Sequence, residues 1–293
     1  MDWNVVLLSG GLMLILGAFL AIGLAYASKK FFVAEDHRVG EIEALLPGAN
    51  CGGCGEAGCH ALADAIVRGD KKPTLCPATK GAALVEIGKI VGIEIEETER
   101  QVARVACAGG NNVAVRYAEY EGLHGCRAAK IAGASKGCPW GCLGFGDCVE
   151  ACPFDAININ DHALPVVNEA LCVGCGACVR ACPKQLISLQ PISNKLWVAC
   201  NNKAKGPDAM KECAVACLGC GICVKDAPAG LISIEDNLAV VNVAMRAEAS
   251  EEAIQRCPTG AIGWYTEDGE FKKGAKAKKI ERETPLPLGG EKA

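Results

Sequence analysis

The chain has 293 residues with 20 cysteines and only 4 histidines, far more cysteine than an ordinary globular domain uses. Aromatic residues make up 5%, so large apolar side chains cannot supply most of a core, and a set of small cross-linked modules fits the composition better. With 51% hydrophobic and 22% charged residues, the chain does not have the composition of a disordered protein. The net charge of −4 comes from an acidic body that precedes a basic tail. This distribution argues against nucleic acid as a partner, because nucleic acid requires a basic face.

An uncharged, apolar segment runs from Trp3 to Ser28 at the amino terminus. As a helix rising about 1.5 Å per residue, it is long enough to cross a hydrocarbon core of about 30 Å. A cleaved signal peptide is the alternative, and an Ala-Tyr-Ala tripeptide near the end of the segment resembles a cleavage site. However, no Lys or Arg precedes the apolar run, and the run is longer than the apolar part of a usual signal peptide. We therefore predict a retained, single-pass anchor in the lipid bilayer.

Lys29 and Lys30 follow the apolar segment directly. By the positive-inside rule, they place the cysteine-rich body on the cytoplasmic side of the inner (cytoplasmic) membrane. The cytoplasm is reducing, so metal or cluster ligation is favoured over disulfides for the cysteines.

The first cysteine group follows a short polar stretch and has the spacing C-x2-C-x4-C-x16-C. Residues 61–68 are predicted to form a short helix that Gly69 ends, and His60 is read as a helix-start residue and not as a ligand. A four-cysteine zinc site is the alternative, but zinc sites usually place their ligands as two separated pairs. Crowding of three cysteines into nine residues favours an iron–sulfur cluster, here cluster 1, with the ligands Cys51, Cys54, Cys59 and Cys76.

A second group matches the bacterial ferredoxin run C-x2-C-x2-C-x3-C-P at residues 172–183. In that fold the fourth cysteine of each run serves the other cluster, so a partner run is expected nearby. Residues 138–153 form an irregular partner run, in which Phe145 stands where the middle cysteine is expected. We assign one [4Fe–4S] cluster, cluster 2, to Cys138, Cys142, Cys148 and Cys182. Cluster 3 is assigned to Cys152, Cys172, Cys175 and Cys178. Short strands are expected after each run, at 156–159 and 186–189.

A shift of 75 residues lays this module over a third one. The ligands of cluster 2 fall on Cys213, Cys217, Cys223 and Cys257, and Phe145 falls on Cys220. The four ligands of cluster 3 fall instead on Ala227, Ala247, Ser250 and Ala253. Because one complete ligand set is lost and the other is kept, we predict a degenerate ferredoxin-like module whose second site is repacked with small residues. Its remaining cluster, cluster 4, has the ligands Cys217, Cys220, Cys223 and Cys257.

Four cysteines remain without a role: Cys107, Cys126, Cys200 and Cys213. Cys126 and Cys200 nearly obey the 75-residue repeat, which suggests that Cys126/Cys138 and Cys200/Cys213 are equivalent pairs. These thiols are either buried structural residues or ligands of a further cluster, and their spacing matches no cluster run.

The expected fold is α+β, with one amino-terminal transmembrane helix, a small four-cysteine [4Fe–4S] domain and two ferredoxin-like modules, the second degenerate. The predicted boundaries are 1–28 for the anchor, 29–95 for the amino-terminal cluster domain, 96–135 for a connecting region, 136–192 for the two-cluster module, 193–265 for the one-cluster module and 266–293 for a basic flexible tail. At least three and in our assignment four [4Fe–4S] clusters are bound.

Thiolate-ligated iron performs one-electron chemistry over a wide range of potentials. No motif for a phosphate-binding loop, a dinucleotide or a catalytic zinc competes with this interpretation, and the four histidines lie apart. We assign no catalytic residue to this chain. The expected role is a membrane-anchored electron carrier whose substrate chemistry belongs to partner subunits.

Three features occur in a characteristic order: the apolar amino-terminal helix, the motif P-G-A-N-C-G-G-C-G-E-A-G-C with C-P sixteen residues on, and the run C-P-W-G-C-L-G-F-G-D-C-V-E-A-C-P-F-D-A-I. In these features the chain resembles the B subunit of the Rnf complex. The resemblance covers residues 1 to about 265. It implies an iron–sulfur, ferredoxin-facing subunit of a translocase, a ferredoxin:NAD oxidoreductase that couples electron transfer to sodium or proton movement.

The resemblance also implies reduced ferredoxin as the electron donor, and partner subunits that carry covalently bound FMN, a nicotinamide site and integral-membrane segments. The family's ligands carry over to the cysteines assigned to clusters 1, 2 and 3. The third module departs from the full two-cluster form, because residues 227, 247, 250 and 253 are not cysteine. Two other hypotheses stay open: a stand-alone anchored polyferredoxin that serves a hydrogenase or reductase, and a zinc-stapled scaffold without a redox role.

Overall fold

The computed structural model describes residues 3–31, 36–79, 81–95, 99–133, 136–280 and 282–289. The apolar amino-terminal segment forms helix α1, Trp3–Lys30. Large apolar side chains such as Leu8 and Met13 are exposed along this helix. In the described part of the chain this is the one helix that is long and apolar enough to cross a membrane, over Leu7–Lys30 with a mean hydropathy of 2.3.

The first cysteine module is helical, with α2 at His37–Leu45, α3 at Cys59–Val67, a 3-10 helix at Pro73–Leu75 and α4 at Ala82–Val91. The Asp36 side chain caps α2 by accepting a hydrogen bond from the Arg38 backbone N–H. Helix α3 confirms the predicted helix and begins at Cys59. Gly69 follows it with φ +80°, a conformation that glycine adopts without steric cost. The apolar faces of the three α-helices meet in one core built on Ile42, Leu62, Ile66 and Ile87.

The second module consists of two antiparallel strand pairs and short helices. Strand β1, Gln101–Val105, pairs with β4, Ile187–Pro191, and β2, Ile157–Ile159, pairs with β3, Pro165–Val167. The helices are α5 at Cys126–Ile131, α6 at Asp147–Glu150 and α7 at Ala177–Ala181. Strands β2 and β4 confirm the two strands predicted after the cysteine runs.

The third module repeats this plan. Strands β5, Leu196–Val198, β8, Ile262–Tyr265, and β9, Phe271–Lys273, form a three-stranded antiparallel sheet, and β6, Ile232–Glu235, pairs with β7, Leu238–Val241. Its helices are α8 at Gly206–Glu212, α9 at Ile222–Asp226 and α10 at Glu252–Gln255, with a 3-10 helix at Val243–Glu248.

The 75-residue repeat is confirmed at the level of elements. Helices α6 and α9, strands β2 and β6, helices α7 and α10, and strands β4 and β8 all begin 75 residues apart. The backbone repeats as well, because the glycine preceding α6, Gly146, and its counterpart Gly221 both cap their helices in the left-handed conformation.

Two of the four positions at which the third module lacks cysteine belong to or pack against the apolar core of that module. Ala253 is buried there, and Ala227, Met245 and Ala249 pack against the same core. Ala247 is exposed and Ser250 is half-buried. Small side chains therefore stand at these positions, some of them in the core and some of them at the surface.

Two segments differ from the predicted domain map. The connecting region supplies β1, which pairs with β4 and so belongs to the second module. The basic tail contains β9, and further on the Leu286 and Gly289 N–H groups donate to the carbonyls of Asn111 and Arg116. The physical reason is backbone pairing: an edge strand such as β1 or β9 is held by its ladder hydrogen bonds, which composition does not reveal.

Candidate iron–sulfur sites

All 20 cysteines are free thiols, and only Cys220 is exposed. Among the residues that the structure describes, no three His, Cys, Asp or Glu side chains converge closely enough to ligate a single metal ion. The thiols instead line small cavities, four to a cavity. This arrangement differs from a zinc site, in which four sulfurs lie about 2.3 Å from one ion.

The first such cavity lies in the second module. Apolar groups line most of it, including Val105, Leu186 and Ile187. The four cysteines on its wall are Cys126, Cys142, Cys148 and Cys182. Three of them are sequence-predicted ligands of cluster 2, and the fourth, Cys126, was left without a role.

The predicted fourth member, Cys138, does not line this cavity and lies on a different one. The position of Phe145 explains why Cys126, and not Cys138, lines this cavity. Its ring makes edge contacts with Tyr120 and His124, with ring centroids 5.3 and 5.5 Å apart, and so packs against the segment that leads into α5. This packing places Cys126, at the start of α5, beside the site whose regular cysteine is replaced by Phe145.

Asp147 anchors Cys126 in this position. Its carboxylate accepts hydrogen bonds from the backbone N–H groups of Cys126, at 2.6 Å, and Arg127, at 3.1 Å. These bonds satisfy two N–H groups at the start of α5 that have no partner within the helix. Cys126 and Asp147 are 21 residues apart in the sequence, so this contact arises from tertiary folding.

Burial dominates the electrostatics of these thiols. Burial, followed by the charge of Cys107, raises the pKa of Cys142 to about 12. Burial, followed by the neighbouring Cys126 and Cys182, raises the pKa of Cys148 to about 11. Thiols with pKa values as high as those of Cys142 and Cys148 become thiolates when a positively charged centre binds them.

The second predicted set, Cys152, Cys172, Cys175 and Cys178, is brought together as neighbouring thiols. The pKa of Cys178 rises to about 12, first through burial and then through Cys172 and Cys175. Backbone N–H groups point at two of the sulfurs, since Ala103 donates to Cys172 Sγ and Ala156 to Cys152 Sγ, both at 3.4 Å. Strand β1 of the supposed connecting region thus contributes a hydrogen bond to this set.

The amino-terminal set is partly enclosed by the helical core, in which Cys59 and Cys76 are buried and Cys54 packs at the edge. The Asn50 side chain accepts a hydrogen bond of 2.7 Å from the Cys59 N–H and so fixes the start of α3. Cys51 and Cys175 interact electrostatically, so this set adjoins the thiols of the second module.

In the third module, a cavity is lined by Cys217, Cys220, Cys223 and Cys257. This is the predicted set for cluster 4. Burial, followed by Cys217 and Cys257, raises the pKa of Cys223 to about 12. Cys220 occupies the position that Phe145 takes in the second module.

Three of the four thiols that sequence reasoning left over also gather, together with Cys138. A further cavity is lined by Cys107, Cys138, Cys200 and Cys213. The signal available in the sequence was the 75-residue relation between Cys138 and Cys213. The near-repeat that pairs Cys126 with Cys200 in the sequence obscured this relation. Cys126 in fact lies on the cavity of cluster 2 and not on this one.

Comparison with protein families identifies iron–sulfur domains in the chain. A family model for an Fe–S cluster matches residues 46–78, and models described as 4Fe-4S dicluster domains match residues 136–187 and 171–230. These matches cover the amino-terminal set, the second module and the start of the third. The chain therefore binds multiple [4Fe–4S] clusters.

Comparison with individual proteins finds relatives along most of the chain. The B subunit of the proton-translocating ferredoxin:NAD(+) oxidoreductase complex of Clostridium ljungdahlii is 45% identical over 88% of this chain and 92% of its own length. The Na(+)-translocating counterpart of Acetobacterium woodii is 41% identical over 91% of this chain and 80% of its own length. The B subunit of the ion-translocating oxidoreductase complex of Methanosarcina acetivorans is 37% identical over 84% and 94%. The chain therefore belongs to the family of iron–sulfur electron-transfer B subunits of the ion-translocating ferredoxin:NAD(+) oxidoreductase (Rnf) complex, a redox-driven translocase.

Proposed function

We propose that the chain accepts electrons from a reduced ferredoxin and delivers them to the other subunits of its complex, which carry a flavin, a nicotinamide site and integral-membrane segments. When bound, [4Fe–4S] clusters supply one-electron transfer at potentials that the surrounding protein tunes. The observation that carries the proposal is the recurrence of one arrangement, four thiols around a small cavity, in successive modules. Ferredoxin as the donor is supported by the names of two relatives.

The arrangement of the thiols supports clusters as the occupants of these cavities. Four thiols line each cavity without converging on one point, whereas a single zinc ion would require the four sulfurs to converge. The proposed ligand sets are those predicted for clusters 1, 3 and 4, with one change in cluster 2. There Cys126 takes the place of Cys138, so the set becomes Cys126, Cys142, Cys148 and Cys182.

Backbone N–H groups point at cysteine sulfurs in these sites, which is a further property of iron–sulfur sites. The Leu186 N–H lies 3.4 Å from Cys182 Sγ, just as the Ala156 N–H lies 3.4 Å from Cys152 Sγ. In both cases the donor lies four residues after the last cysteine of a run. Hydrogen bonds to the sulfurs stabilise negative charge and raise the reduction potential of a bound cluster.

We further propose that helix α1 spans the membrane and that the cysteine-rich body lies in the cytoplasm. The apolar helix ends in Lys29 and Lys30, which the positive-inside rule places on the cytoplasmic side. A reducing compartment also suits a chain with 20 free thiols. Protease treatment of right-side-out membrane vesicles should leave the body intact, and digestion of the body in these vesicles would overturn this orientation.

The function is tested by anaerobic purification of the full-length chain, followed by iron, sulfide and zinc analysis. We expect about four irons and four sulfides per cluster, visible absorption that bleaches on reduction with dithionite, and reduction by ferredoxin in the absence of other subunits. Zinc without sulfide would overturn the redox function. Reduction by dithionite but not by ferredoxin would overturn ferredoxin as the direct donor. Co-purification with flavin and nicotinamide subunits separates a member of the complex from a stand-alone polyferredoxin.

A further inference from the structure

A cavity lies between the second and third modules and is not used by the four cluster sites. Its wall carries four thiols, Cys107, Cys138, Cys200 and Cys213. Two come from each module. All are buried or half-buried, and none is in a disulfide.

The hydrogen bonds around this cavity show that Cys107 and Cys200 are equivalent positions of the repeat. The Ala106 N–H donates to the Leu186 carbonyl at 2.7 Å, and the Ala199 N–H donates to the Ala261 carbonyl at 2.8 Å. Leu186 and Ala261 are 75 residues apart, so Ala106 and Ala199 occupy the same place in their modules. The residues that follow them, at positions 107 and 200, are therefore counterparts.

A second pair of bonds gives the same equivalence. The Cys142 N–H donates to Cys107 Sγ at 3.4 Å, and the Cys217 N–H donates to Cys200 Sγ at 3.3 Å. The two donors are again 75 residues apart, as are Cys138 and Cys213. The cavity is thus lined by two equivalent pairs of thiols, one pair from each module. One shared functional site explains this repetition with fewer assumptions than four unrelated buried thiols do.

The surroundings of the cavity suit a negatively charged group with sulfur ligands. Asn202, which is 1% exposed, donates from Nδ2 to Cys138 Sγ at 3.4 Å and from its backbone N–H to Cys200 Sγ at 3.5 Å. The ammonium group of Lys136 lies on the wall and supplies a positive charge. Gly109 brings the backbone close to the thiols, since a β-carbon there would lie only 3.0 Å from Cys213 Sγ.

We propose that these four thiols hold a fifth [4Fe–4S] cluster at the junction of the two ferredoxin-like modules. The proposal rests on the proposed function, since it adds a site to the same electron-transfer chain. A preformed [4Fe–4S] core binds the four sulfurs as thiolates, and their four protons go to solvent. Like those of the other two four-cysteine cavities, the thiols of this cavity do not converge on a single ion.

The wild-type, full-length chain tests this proposal directly. Five clusters predict about twenty irons and twenty sulfides per chain. Alkylation of the native holoprotein should leave all four thiols of the site unmodified by mass spectrometry. About sixteen irons with these thiols open to alkylation would overturn the fifth cluster and leave the proposed function standing. About sixteen irons with one zinc per chain would also overturn it, whereas a chain without iron and sulfide would overturn both proposals.

Variants at the two equivalent positions provide the sharper test. Cys107→Ser and Cys200→Ser should each remove about four irons, and the double variant should also remove about four, because both residues serve one cluster. A loss of about eight irons in the double variant, or none in either single variant, would overturn the proposal. Val215→Thr is the matched control, because it changes the wall of the same cavity in a buried side chain without altering a thiol, and it should keep all irons.

Discussion

Gly53 of the amino-terminal module lies directly against Cys175 of the second module. A β-carbon built on Gly53 would lie 2.9 Å from the Cys175 carbonyl oxygen and 3.3 Å from the Cys175 β-carbon. Both residues belong to cysteine runs, and the neighbouring thiols of Cys51 and Cys175 interact electrostatically. Glycine at position 53 therefore allows the amino-terminal thiol set and the second module to approach at backbone distance.

Gly53→Ala should separate these two thiol sets without removing iron. The added methyl group meets a backbone carbonyl, which cannot turn away as a flexible side chain would, so the modules must shift. We expect unchanged iron content, weaker magnetic interaction between the reduced centres in EPR spectra, and a loss of stability of about 1 kcal/mol or more. Gly40→Ala is the control, because Gly40 lies in helix α2 with open space around its α-carbon. An unaltered magnetic interaction in the Gly53 variant would show that this contact does not set the separation.

Cys126→Ser should remove about four irons, although Cys126 belongs to no recognisable cysteine run. The reason is its place on the cavity wall with Cys142, Cys148 and Cys182. Cys138→Ser should also remove about four irons, from the separate site at the module junction. The double variant should therefore lose about eight. If Cys126→Ser keeps all its iron, the sequence-based ligand set, with Cys138 in cluster 2, is favoured instead.

Cys257→Ala should remove one cluster from the third module, whereas Ser250→Ala should remove none. Cys257 lines the cavity with three other cysteines, while Ser250 stands at a position where the second module has a cysteine. Iron and sulfide analysis of the two variants decides this point. Equal iron content in both would contradict the proposed ligand set of the third module.

Glu169→Gln should lower stability by about 3 kcal/mol. Arg104 is 2% exposed, pairs with the Glu169 carboxylate and stacks on the ring of Tyr265, with its guanidinium carbon 3.6 Å from the ring centroid. The substitution leaves the buried guanidinium charge without its anion, which is the costly change for a buried pair. Thermal loss of the visible absorption of the clusters measures the effect.

Replacing both members of this ion pair provides the comparison. Arg104→Met combined with Glu169→Leu should cost less than Glu169→Gln alone, because no unpaired charge is then buried. Tyr265→Leu should cost about 1 to 2 kcal/mol through loss of the cation–π contact and of buried ring surface. A double variant less stable than Glu169→Gln would show that packing of the arginine stem, and not its charge, holds strand β1 against strand β8.

Local spacing in the sequence was enough to find the cysteine runs, the helix after Cys59, the strands after each run and the 75-residue repeat. The cysteine runs follow from short-range geometry, since cysteines separated by two residues lie on one backbone loop and reach the same site. The apolar segment from Trp3 to Ser28 is likewise a local property of composition.

Ligands that come from distant segments depend on tertiary structure. Cys126 reaches its cavity because Phe145 packs against Tyr120 and His124 and because Asp147 holds the start of α5. Cys107 meets Cys200 because strands β1 and β5 pair with equivalent strands of the repeat. The sequence by itself determined the type of chemistry and most of the thiols that perform it. Only the tertiary structure decided which thiols share a site. Strand pairing and ring packing bring these residues together, and their spacing along the chain does not predict the contact.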